Sequence, residues 1–234
     1  MIAEKEQKTE PNTEPNTEPN TEQNTTPGTT AETLLEKENE ALRCTPVEVE
    51  HVITDEWIDF KKIRLRMPDG NEFEPYYGFS RRSYVVVVAS DEEGKYLCVR
   101  QYRHGIDRVT TEFVAGGIAI DGKEGYTKDP LHTITTEDAL ETAKRELEEE
   151  TGYVSDEWRH LLTVPSEATI ADNYAYLFVA RNCRKVSPQK LDEMEFVRVH
   201  LYEASEIEEM IRDGEFAQAI HSLAWLLSLR REKK

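Results

Sequence analysis

The pattern of apolar and polar positions changes at Val47. Before it, residues 9–22 repeat Thr-Glu-Pro-Asn, with no apolar periodicity to offset the entropy of ordering. After it, short apolar runs separated by turn residues predict strands over Val47–Thr54, Trp57–Met67 and Glu72–Tyr77, with Pro68-Asp69-Gly70-Asn71 as a turn. Ser83–Ala89 is a continuous β-branched run, as in a buried central strand. Tyr96–Tyr102 and Thr110–Ala115 follow, the latter ending at Gly116-Gly117. A polar stretch over 118–136 then gives way to a helix, with Thr136 as N-cap, Glu137 and Asp138 in the first turn, and an apolar stripe of Ala139, Leu140, Ala143 and Leu147. Gly152 suits its C-terminal end. Strands are expected at Trp158–Val164, Tyr174–Ala180 and Phe196–Leu201, and helices at Glu203–Asp213 and Glu215–Leu229, split by Gly214. Mixed strands with helices on both sides predict an α/β sandwich.

Composition narrows the function. The net charge of the 234-residue chain is −18. Such acidity argues against a nucleic-acid backbone as partner, because phosphates are recognised by positive charge. Cys44, Cys98 and Cys183 show neither a zinc-binding spacing nor a disulfide framework, so a reducing cytoplasmic setting is expected. The first residues lack the apolar core of a signal peptide, and no apolar run approaches the ~20 residues that span a bilayer. Residues 1–45 are expected to be a disordered acidic tail with a short helix over 31–42, 46–82 an N-terminal β-region, and 83–234 the main domain.

The chemistry concentrates in Arg145-Glu146-Leu147-Glu148-Glu149-Glu150-Thr151-Gly152-Tyr153. Glu146 and Glu150 stand four apart and share one helical face, and Arg145 can pair with Glu149. Carboxylates stacked on one face repel each other. A hard divalent cation relieves that repulsion, because Mg²⁺ prefers carboxylate oxygens. A run of Glu is more often only a solvated face, but the pattern Arg-Glu-apolar-x-Glu-Glu-x-Gly-apolar, with Glu137 eight residues before Arg145, is more specific than that.

This stretch is similar to the second half of the Nudix box. The segments Val99-Arg100-Gln101-Tyr102-Arg103-His104-Gly105, Glu112-Phe113-Val114-Ala115-Gly116 and Leu191–His200 resemble the ADP-ribose pyrophosphatase branch of the Nudix hydrolases, over roughly residues 46–232. The resemblance implies a Nudix-type α/β/α sandwich with a mixed β-sheet, preceded by a small N-terminal β-region used for dimerisation. It implies Mg²⁺-dependent hydrolysis of a nucleoside diphosphate-linked small molecule, with ADP-ribose giving AMP and ribose 5-phosphate. It also implies that Mn²⁺ can substitute and that the protein is a homodimer, while the acidity and the lack of a long apolar run make neither nucleic acid nor membrane an expected partner.

On the matching positions, the resemblance makes Glu146, Glu149, Glu150, Glu195 and the Ala115 carbonyl metal ligands. Glu193 is the first choice for general base, and Arg145 orients the carboxylates, with Glu149 either a ligand or a partner of Arg145. Arg103 and Glu112 fall where this branch places pocket residues. Trp57 is a candidate for stacking on a base, as are Phe60, Tyr76 and Tyr77. No role is assigned to any histidine. Two features depart from the pattern. Nineteen residues separate Gly117 from Glu137 where the box has five, which makes 118–136 a lid, a specificity loop or a tolerated insertion. Pro165-Ser166-Glu167-Ala168-Thr169 replaces the usual Ser-Pro-Gly turn, so a second reading keeps the chemistry but changes the substrate to another nucleotide sugar or a dinucleotide. A third is a non-catalytic nucleotide sensor.

Overall fold

The computed structural model describes residues 31–119, 126–127 and 130–230. The tail expected over 1–30, and Lys123, Glu124, Gly125 and Asp129 of the insertion, lie outside the described residues. The chain divides into two units, up to Arg43 and from Cys44 onward. In the first, α1 (Ala31–Leu42) exposes Leu34, Leu35 and Leu42.

The second unit opens with a three-stranded antiparallel sheet, β1 (Thr45–Thr54), β2 (Ile58–Arg66) and β3 (Glu72–Arg81), in that spatial order. The main sheet is built around β4 (Tyr84–Asp91). This strand is antiparallel to β5 (Tyr96–Arg103) and β7 (Val114–Gly117), and parallel to β10 (Tyr174–Lys185). β6 (Arg108–Glu112) and β11 (Arg198–Tyr202) pair with β5, while β8 (Tyr153–Val154) and β9 (Glu157–Pro165) pair with β10.

The β-branched run of β4 is buried on both faces, and its pleat divides the core in two. Val85, Val87 and Ala89 meet Ala139, Ala143 and Leu147 of α3 (Thr136–Thr151). Val86 and Val88 belong to the opposite layer, with Phe113, Ile207 of α4 (Ala204–Asp213), and Ala224 and Trp225 of α5 (Ala219–Ser228). The result is a mixed sheet between two helical layers. The chain also forms a single helical turn, α2 (Pro130–Thr133), inside the stretch expected to be loop.

Element ends differ from the sequence reading where caps and backbone turns, not periodicity, decide them. Thr135, not Thr136, caps α3. Its hydroxyl accepts from Asp138 N–H at 3.1 Å, and the Asp138 carboxylate accepts from Thr135 N–H at 3.0 Å. This reciprocal box satisfies two otherwise orphaned donors. α5 starts at Ala219 rather than Glu215, because Glu215 and Phe216 N–H both turn back to the Met210 carbonyl. β11 starts at Arg198 rather than Phe196, which is left 83% exposed.

Candidate active site

The apolar stripe that packs α3 on the sheet also fixes where its carboxylates go. Glu146 and Glu150 lie on the sheet side of the helix and are buried, with 8% and 4% exposure. The close approach depends on Gly116 in β7, where a Cβ would overlap the Glu146 carboxyl. The helix ends at Gly152, whose φ of 77° is left-handed and whose Cβ would strike the Ser187 carbonyl oxygen.

The electrostatics at this contact are unbalanced. Arg145 donates to Glu146 Oε1 at 2.7 Å and to Glu149 Oε2 at 2.5 Å. Glu150 receives the Ala115 N–H, but its Oε2 is buried with no hydrogen-bond partner. Burial pushes the Glu150 carboxyl well above the usual carboxylate range, and the Glu146 and Glu195 charges push it further. Burial also raises Glu146. Arg145 opposes that shift, and Glu149 and Glu195 reinforce it.

A second polar group adjoins the first. Arg103 Nε and Nη2 hold the Glu112 carboxylate at 2.9 and 2.5 Å, and the Thr110 hydroxyl also donates to it. Burial would raise Glu112, but Arg103, His221 and Thr110 together outweigh it and the net shift is downward. The Arg103 charge also acts on Glu150, which links the two groups. Behind Glu112, burial lowers His221 to about 4, so its ring is neutral at pH 7 and its Nδ1 accepts the Phe113 N–H at 3.2 Å.

The structure therefore brings together Ala115, Glu146, Glu150, Arg103 and Glu112, with Arg145 and Glu149 at the rim and Glu195 acting across the gap. Ala115 meets Glu150 through its N–H. Glu193 lies exposed in the loop before β11 and, among the described residues, has no hydrogen-bond or ion-pair partner. Trp57 is 58% exposed, with the Arg82 guanidinium 5.6 Å from its ring centre, and Arg82 in turn lies against Gly117. Sequence reasoning missed the packing role of Gly116, although the Gly-Gly pair at the strand end was its signal. It also missed His221, whose burial no local pattern announces.

Among the described residues, no three His, Cys, Asp or Glu side chains already form a metal cage. The donor set nonetheless fits a hard divalent cation. Glu150 Oε2 is an unpartnered buried carboxylate oxygen, and the charges of two more carboxylates, Glu146 and Glu195, act on it.

Comparison with known proteins matches the Nudix domain to residues 80–228. The chain belongs to the Nudix family and is a Nudix hydrolase. An ADP-ribose pyrophosphatase of Bacillus subtilis (strain 168) is 30% identical over 155 residues, covering 64% of this chain and 76% of that protein. One from Mycobacterium tuberculosis (strain ATCC 25618 / H37Rv) is 27% identical over 165 residues, covering 68% of this chain and 70% of that one. A methanol dehydrogenase activator of Bacillus methanolicus is 34% identical over 114 residues, but the match takes in only 48% of this chain and 54% of the activator. The solved structure of an ADP compounds hydrolase superposes with a TM-score of 0.62 at 19% identity, over 80% of this chain and 92% of that one, which supports the fold. Hydrolases of this family generally use divalent cations. Among the described residues, no helix is long and apolar enough to cross a membrane.

Proposed function

We propose that this Nudix hydrolase cleaves the pyrophosphate bond of a nucleoside diphosphate derivative, with ADP-ribose giving AMP and ribose 5-phosphate. The observation that carries this reading is the buried, partnerless Glu150 carboxylate oxygen beside Glu146, under a glycine strand. The relatives described as ADP-ribose pyrophosphatases favour ADP-ribose.

Glu146, Glu150 and Glu195 would hold Mg²⁺, or Mn²⁺ in its place, with Glu149 at the rim. Bound there, the cation would neutralise the pyrophosphate and lower the pKa of an attacking water. Arg145 turns Glu146 and Glu149 toward the site. Arg103, fixed by Glu112, offers its exposed edge to the substrate phosphates. A carboxylate of the 190–196 loop takes the proton from water, with Glu193 the first assignment. Glu193→Gln and Glu195→Gln separate the roles: the base variant lowers kcat with metal affinity unchanged, and the ligand variant weakens metal affinity. The protein works as a homodimer through β1–β3, and Trp57, between β1 and β2, stacks on a base.

A second substrate reading, another nucleotide sugar or a dinucleotide, is favoured by the 165–173 loop. This loop is held on the N-terminal sheet by Phe79 N–H to the Ile170 carbonyl at 2.8 Å and by Asp172 N–H to the Phe79 carbonyl at 3.3 Å. Phosphatase-coupled phosphate release, with and without Mg²⁺, over ADP-ribose, nucleotide sugars, dinucleotides and nucleoside triphosphates tests both readings. The result expected is Mg²⁺-dependent turnover fastest on ADP-ribose. Faster turnover of another member moves the specificity to that loop. Silence on the whole panel from folded, Mg²⁺-binding protein sinks the proposal.

A further inference from the structure

The last turn of α3 is held by the chain that follows β10. Val186 and Ser187 N–H donate to the Gly152 carbonyl at 2.9 and 3.2 Å, and Lys190 N–H donates to the Glu149 carbonyl at 2.8 Å. The Gln189 side chain adds a link of another kind. Its Nε2 donates to the Glu150 carbonyl at 2.6 Å and reaches the Val197 carbonyl at 3.4 Å. One amide thus ties the helix at Glu150 to both ends of the 190–196 loop.

The middle of that loop has little to rest on. Met194 is 88% exposed and Phe196 83%, the highest values among the large apolar residues described. Within the loop, Glu195 N–H donates to the Asp192 carbonyl at 3.0 Å, and Asp192 N–H reaches the Glu195 carboxylate at 3.3 Å. These bonds hold the turn together without placing it. Leu191 and Val197 pack against the α3 layer at its two ends, so placement is decided there. Glu195 nevertheless stands close enough to Glu146 and Glu150 to repel both.

We infer that Gln189 is a positioning residue, whose amide sets where Glu195 stands relative to Glu146 and Glu150. The inference rests on the hydrolytic reading of the site. A donor is required at this place, because both partners are carbonyl oxygens and one belongs to the negative end of a helix. A glutamate of the same length would face those oxygens with acceptors only. A lysine keeps donors and suits the helix end.

The test compares Gln189→Ala, Gln189→Glu and Gln189→Lys in the full chain. Three quantities are read: kcat and KM for ADP-ribose with Mg²⁺, the half-saturating Mg²⁺ concentration, and amide hydrogen exchange over 190–196. Gln189→Ala and Gln189→Glu are expected to lower kcat about 10- to 100-fold, the scale of a misplaced catalytic group, with KM for ADP-ribose within about twofold. They should also raise the Mg²⁺ requirement and speed exchange in the loop. Gln189→Lys should recover most of the loss. Wild-type kcat in folded Gln189→Glu overturns the inference, and so does a Gln189→Lys variant as slow as Gln189→Ala. If wild type hydrolyses nothing on the panel, the functional reading fails. The exchange comparison then decides the anchoring alone, and unchanged loop exchange in Gln189→Ala and Gln189→Glu overturns it.

Discussion

Two groups of buried carboxylates stand in this molecule under opposite electrostatic conditions. On the N-terminal sheet, Asp59 is 2% exposed, yet His51 Nδ1 lies 2.7 Å from its Oδ1, the Thr54 hydroxyl donates at 3.2 Å, and Lys61 Nζ stands 3.9 Å away. Burial would raise its pKa, but these partners outweigh burial and hold it below the ordinary value. Nearby, Lys61 and Ser80 meet the Asp172 carboxylate at 3.4 and 2.5 Å, fastening the 165–173 loop. On α3, Glu150 is as deeply buried, has one backbone donor, and is pressed by two further carboxylates. A compensated buried acid is a fastening. An uncompensated one keeps its charge only when a cation arrives from outside.

Substitutions break this comparison to different degrees. Glu150→Gln should lower turnover about 100-fold or more, the scale of losing a charge-stabilising group, with the circular dichroism spectrum unchanged. Mg²⁺ at 100 times its Kd should raise wild-type stability by about 2.7 kcal/mol and leave this variant near its metal-free value, a difference read by thermal unfolding. Gly116→Ala inserts a methyl group where the Glu146 carboxyl lies. It should cut kcat about 10- to 100-fold by moving that group.

Glu112→Gln breaks the half-buried pair with Arg103 and should cost about 2 kcal/mol of stability in urea unfolding. Lys61→Met, on the compensated side, should cost about 1–2 kcal/mol by leaving Asp59 and Asp172 short of a donor, without altering the Mg²⁺ dependence.

The two groups should also titrate with opposite sign in metal-free protein. Asp59 has a lowered folded pKa. Its contribution to stability is present above the ordinary value of 3.8 and is lost as pH falls through the folded value. Glu150 has a raised folded pKa, so its contribution is full below the ordinary value of 4.5 and is lost as pH rises toward the folded one. Unfolding free energy measured from pH 4 upward should therefore fall less steeply in Glu150→Gln than in wild type.

The site half carried by α3 was legible because helical spacing is local. Residues four apart share a face whatever the rest of the chain does, so Glu146 with Glu150 and Arg145 with Glu149 follow from the sequence. The central strand was legible from its unbroken β-branched run, and Gly152 from its place after the stripe. Long-range geometry was not. Nothing near Gln189 says that its amide reaches Glu150 and Val197, and the Gly116-Gly117 pair signals a close approach without saying which side chain makes it. Lys61, Ser80 and Asp172 are brought together only when β3 meets the 165–173 loop.

On the proposed function, hydrolysis depends on a divalent cation bound at the unpartnered Glu150 carboxylate. Titrating Mg²⁺ into wild type and Glu150→Gln during ADP-ribose turnover tests it most directly. Saturable activation of wild type is expected, with the variant at least about 100-fold slower at every Mg²⁺ concentration. Wild-type activation by Mg²⁺ in the variant would contradict it.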